Sequence, residues 1–149
     1  MSLEQDIMSA IKDAMRAKDQ VALRALRAVK SALIIQKTEV GGSSEMSKED
    51  EMKLLQKLVK QRKDSADIFS KQKREDLAQP ELEEIEVLSK FLPEAMSEEE
   101  IEVIVKETIT SLGAEGMKDM GRVMGVVSGK LAGKADGKTI SVLVRNNLS

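Results

Sequence analysis

A chain of 149 residues, 41% apolar and 34% charged with a net charge of −2, has the length for one compact domain or two small ones sharing an interface. Its lack of Cys and His excludes thiol nucleophiles, disulfides, Cys/His zinc sites and imidazole acid–base pairs together. With no Trp or Tyr, and Phe69 and Phe91 as the only aromatics, it also excludes a platform that stacks single-stranded bases on rings.

In chain order, Leu3, Ile7, Ile11, Ala14 and Met15 recur at three- and four-residue steps, so residues 2–17 read as an amphipathic helix with Ser2 near its cap. Asp19 is placed to cap a second helix of about twenty residues that carries Leu23, Leu26, Leu33 and Ile34 inward. The run GGSS at Gly41–Ser44 is the clearest loop. Ser47 caps a third, long helix to near Lys73, with Met52, Leu55, Leu58, Val59, Ala66 and Phe69 as its stripe.

The next helix opens in REDLAQPELEEIEVLSKFLP, with Pro80 expected in its first turn, where a missing N–H costs nothing, and Pro93 beyond its end. Ser97 and Glu100 form an S-x-x-E capping box for a helix from Glu98 to near Ser111, which Gly113 stops. Two more helices are expected near 119–132 and 137–148. No stretch alternates with period two for long enough to be a strand, so the expected fold is all-α. Four helices make a bundle-like N-terminal part, residues 1–93, and three short ones a second unit, residues 97–149.

Charge is uneven along the chain. Residues 1–78 hold 16 basic and 13 acidic side chains (+3), residues 79–116 hold 2 and 11 (−9), and residues 117–149 hold 6 and 2 (+4). The basic end suits a polyanion, and the acidic segment 79–116 a basic protein partner; either excess is also what a solvated helix face carries. No 18-residue apolar run spans a membrane. Glu4 and Asp6 stand where a secretory leader would be basic and then apolar, so the expected location is cytoplasmic.

Five of the nine glycines fall four residues apart, at Gly121, Gly125, Gly129, Gly133 and Gly137. A phosphate loop G-x-x-x-x-G-K-[ST] would pair the GKT of Gly137–Thr139 with a glycine at position 132, which is Ala132, and no strand precedes it. A helix fits better. Gly121, Gly125 and Gly129 then share one face, each at a cost of about 0.5–1 kcal/mol relative to Ala. Such a face is trimmed for close approach, either by a neighbouring helix or by a nucleic-acid backbone. Gly133 is expected to turn the chain out of the helix, Asp136 to cap the next one, and Gly137 to begin it. Lys130, Lys134 and Lys138 ring that corner, where a helix N-terminus adds free N–H groups; a solvated lysine surface has the same spacing.

LRALRAVKSAL (Leu23–Leu33), KLVKQRKDSADIF (Lys57–Phe69), REDLAQPELEEIEVLSKFLP (Arg74–Pro93) and KDMGRVMGVVSGKLAGKADGKTI (Lys118–Ile140) together resemble the YqeY family over nearly the whole chain. The last piece resembles the tail domain of GatB, the B subunit of glutamine-dependent tRNA amidotransferase. The resemblance implies a helical domain followed by a three-helix tail domain that touches tRNA while chemistry happens elsewhere. Carried across, the candidate nucleic-acid contacts are Gly121, Arg122, Gly125, Lys130, Gly133, Lys134, Asp136, Gly137 and Lys138. It also implies the family label of carbon–nitrogen ligase activity with glutamine as amido-N-donor, which is read as inherited from the shared tail. Neither the ATP-using part nor an amidase core is in this sequence.

The expected function is therefore a non-catalytic accessory protein that binds tRNA or other structured RNA, without cofactor or metal. A protein-interaction module of the amidotransferase or the translation machinery, acting through segment 79–116, is the alternative. An enzyme ranks last. Glu83, Glu84, Glu98, Glu99 and Glu100 offer carboxylates, but neighbours in sequence point apart around a helix and nothing converges on a nucleophile.

Overall fold

The computed structural model describes residues 2–39 and 46–149. Among them the chain is all-α: α1 (Leu3–Ala17), α2 (Gln20–Glu39), α3 (Lys48–Lys71), α4 (Glu75–Ser89), α5 (Glu98–Leu112), α6 (Met120–Lys130) and α7 (Gly137–Leu148), with a 3-10 turn at Met117–Asp119. The GGSS loop lies outside the described residues. No described helix is long and apolar enough to cross a membrane.

Local chemistry starts most of these helices. Ser2 and Gln5 close a reciprocal capping box on α1, and Ser47 and Ser97 accept the Asp50 and Glu100 N–H groups at the heads of α3 and α5. The Asp19 carboxylate accepts from Ala22 N–H at 3.0 Å. Ends are turned through left-handed residues: Lys18 (φ 55°), Lys73 (φ 60°) and Gly113 (φ 62°).

Two compact units result, Met1–Leu92 and Pro93–Ser149. In the first, α3 packs along α4, α1 along α2, and α2 also against α4. Its core joins Leu3 and Ile7, Leu23, Leu26, Val29 and Leu33, Leu55, Leu58 and Val59, and Leu88. Two inward expectations fail here. Met15 and Ile34 are both more than half exposed, because each sits one step around its helix from the buried row, past Ala14 and Leu33.

Pro80 is a second correction. It lies in the second turn of α4, since that helix already starts at Glu75. The lost N–H frees the Asp76 carbonyl, and Asp76 is exposed, so this group keeps access to water. The same first turn carries a fork: Arg74 Nε and Nη2 donate to the two Asp76 oxygens, each at 3.0 Å. Those hydrogen bonds hold the Asp76 carboxyl below its ordinary range.

Charge is also buried in this unit. Glu84 on α4 lies between Arg24 of α2 (3.4 Å) and Arg62 of α3 (3.5 Å), tying three helices together. Arg62 Nη1 donates to the Leu58 carbonyl at 3.0 Å, and Arg24 Nη2 to the Pro80 carbonyl at 3.4 Å. Glu51, also buried, accepts the Leu3 N–H at 2.6 Å and so satisfies the start of α1 from across the unit.

The second unit is a three-helix core of Ile101, Val105, Val123, Val127, Leu131, Ile140, Val144 and Leu148, with α5, α6 and α7 each touching the other two. Buried Thr108 turns its hydroxyl back to the Ile104 carbonyl at 2.8 Å, which removes an unmet donor from that core.

Candidate nucleic-acid interface

The second unit sets α6 with one face inward and one bare. Val123 and Val127 fill the core, while Gly121, Gly125 and Gly129 are exposed. A Cβ built on any of these three meets nothing within 4 Å. The close neighbour that would justify a trimmed helix is therefore not another helix of this unit. The flank is open.

Both ends of that flank carry cations. At the head of α6, Arg122 is half-exposed and pairs with Asp119 at 3.3 Å. The same Asp119 accepts the Glu115 N–H at 2.8 Å, which fixes the turn through Gly116 (φ 80°). Arg122 thus keeps its donors at the surface but shares its charge.

The other end is the corner into α7. Leu131 is buried and anchors it, and its carbonyl accepts from Lys134 N–H at 2.9 Å and Ala135 N–H at 3.3 Å. Gly133 (φ 81°) supplies the left-handed step, one residue beyond the usual position for it, because Leu131 is already the C-cap of α6. It is buried, and its positive φ turns the chain there. Lys134 gives its carbonyl to Met96 N–H at 2.9 Å, which pins the corner to the segment entering α5. Asp136 caps α7, accepting the Thr139 N–H at 2.7 Å, with Gly137 at the first helical position.

Lys130, Lys134 and Lys138 are consequently exposed around one short turn. None of the three is in an ion pair among the described residues. Lys138 does share a shallow groove with Glu98, along with Thr139, Val142 and Leu143, so a carboxylate stands in its surroundings. Lys130 and Lys134 are the freer charges. The arrangement offers phosphates two or three ammonium groups and a strip of helix backbone without side chains, while the head of α7 is already occupied in part by the Asp136 carboxylate.

Of the candidate contacts, all but Gly133 present themselves at the surface. Gly129 completes the strip, on the same four-residue spacing. The Met96–Lys134 tie had no signal in the sequence, since it joins two backbones.

The family model described as "Yqey-like protein" matches residues 4–148. Three curated relatives carry the name "Altered inheritance of mitochondria protein 41, mitochondrial". That of Pyrenophora tritici-repentis is 32% identical over 124 residues, covering 81% of this chain and 66% of the relative. That of Clavispora lusitaniae is 39% identical over 103 residues, covering 67% and 56%. That of Saccharomyces cerevisiae (strain YJM789) is 30% identical over 145 residues, covering 93% and 76%. The chain thus spans less than two thirds of the length of the first two. The mitochondrial names overturn the expectation of a cytoplasmic location. That expectation rested on the lack of a secretory pattern, which does not discriminate among the compartments inside a cell.

Proposed function

This chain belongs to the Yqey-like family, and from that premise we propose that it is a non-catalytic accessory protein that binds tRNA through the open face of its C-terminal unit. The observation that carries the reading is the bare flank of α6: three exposed helical glycines with nothing within 4 Å of a built Cβ. Their cost in helix stability, about 0.5–1 kcal/mol each, is not recovered by packing inside the unit. A partner whose backbone comes close is the remaining physical reason, and the unpaired Lys130 and Lys134 give that partner a negative sign. Double-stranded RNA fits both, because it is recognised by shape and phosphate contact rather than by base edges. Amide transfer itself is assigned to other proteins.

The acidic segment supports the protein-interaction alternative less well. Part of its charge is spent internally, since Glu84 is buried between two arginines.

The test is titration of labelled tRNA with the full chain at about 50 and about 200 mM salt. Four cations reaching phosphates predict a loss of affinity of about a hundredfold between the two. Lys130→Glu/Lys134→Glu should lower low-salt affinity by at least tenfold, on the order of one weakened phosphate contact per lysine. No complex at low salt, or a variant that binds like the parent, overturns the reading.

A further inference from the structure

The N-terminal unit carries a surface that the RNA reading does not use. Helices α1 and α2 are joined by the corner Lys18–Asp19 and run antiparallel, with Lys37 of α2 reaching Glu4 of α1. That ion pair marks the side on which the two helices meet. On α1, Met8, Ile11 and Met15 follow Glu4 at i+4, i+7 and i+11, within about 40° of it around the helix. On α2, Ile34, Lys30 and Arg27 precede Lys37 at i−3, i−7 and i−10, within about 80°. Both rows border buried faces, Ile7 and Ala14 on one helix and Leu26 and Leu33 on the other. Yet Met8 is 45%, Met15 57% and Ile34 52% exposed.

Apart from Glu4, which Lys37 pairs, charge on this side has a single sign. Lys12, Arg27 and Lys30 are exposed, and none is in an ion pair among the described residues. The other carboxylates of α1, Asp6 and Asp13, lie about 160–180° around the helix from Glu4. From Gln20 to Thr38, α2 has no acidic residue at all. The seam is therefore an apolar row with a cationic rim. A phosphate backbone has no use for exposed thioether and sec-butyl side chains. An amphipathic helix does, because flexible Met side chains adapt to apolar anchors spaced three and four apart.

We propose that the α1–α2 seam docks an acidic amphipathic helix of a partner protein. Its apolar stripe lies on Met8, Met15 and Ile34, and its flanking carboxylates face Lys12, Arg27 and Lys30. The inference is independent of RNA binding by the other unit.

The probe is a synthetic peptide of residues 97–112 of this chain (SEEEIEVIVKETITSL), an acidic amphipathic sequence, added to the full chain labelled at its methionine methyls for NMR. The control is the same peptide with every Glu replaced by Lys. Saturable shifts of the Met8 and Met15 methyls with the acidic peptide alone support the proposal. So does a weakening of at least about tenfold in Arg27→Glu/Lys30→Glu, and in Met8→Gln/Met15→Gln, whose exposed positions spare the fold. Three results overturn it: no saturable shift at these methyls, equal response to both peptides, or displacement of the peptide from them by tRNA. Shifts confined to Met117, Met120 and Met124 also count against it.

Discussion

At Gly125 the consequences for stability and for binding have opposite signs, which makes it the most informative single residue. Its added Cβ meets open space, and its backbone is helical, so Gly125→Ala should raise stability by about 0.5–1 kcal/mol through helix propensity alone. If the flank touches RNA, the same methyl group should reduce affinity. Chemical denaturation and tRNA titration of one variant read both effects, and a more stable protein with unchanged affinity would leave the glycines unexplained. Lys73 offers a simpler case. It is a non-glycine residue at φ 60°, so Lys73→Gly should relieve left-handed strain and add about 0.5–1 kcal/mol, measured as a higher denaturant midpoint. The glycine spacing was legible in the sequence. Whether the trimmed face met a helix or open space was not, because periodicity locates a face on a helix but says nothing of what lies opposite.

Among the helices, caps were the part most readily read. Ser2, Asp19, Ser47, Ser97 and Asp136 all do what their residue types favour, since an N-cap depends on residues three apart. Pro80 falls in the second turn of α4 and not the first, because helix propensity in Glu75–Gln79 outweighs one lost hydrogen bond. Met15 and Ile34 read as inward in the sequence because a one-residue step moves a side chain by about 100°, no more than the width of an apolar stripe. Interhelical polar ties had no sequence signal. Chief among them is Glu84, which links α2, α3 and α4 through Arg24 and Arg62. Glu84→Gln should cost about 3 kcal/mol, chiefly by leaving the buried Arg62 guanidinium without its counter-charge; Arg24, half in solvent, loses less. Thermal or urea unfolding checks this, and a loss under about 1 kcal/mol would mark the pair as ornament.

For the molecule as a whole, the distribution of charge distinguishes the two units. The C-terminal unit gathers unpaired lysines at a turn beside naked helix backbone; the N-terminal unit sets cations around exposed Met and Ile. No His is present, so no side chain has an ordinary pKa between about 5 and 8. RNA affinity should accordingly stay flat from pH 6 to 7.5 while responding strongly to salt, and a sharp pH dependence would point to chemistry other than phosphate contact. The most direct measurement is the slope of log affinity for tRNA against log salt, taken for the parent chain and for Lys130→Glu/Lys134→Glu. Removing two phosphate contacts should flatten that slope by about two. Parallel slopes would contradict the account, since the lysines of the α6–α7 corner would then touch no phosphate.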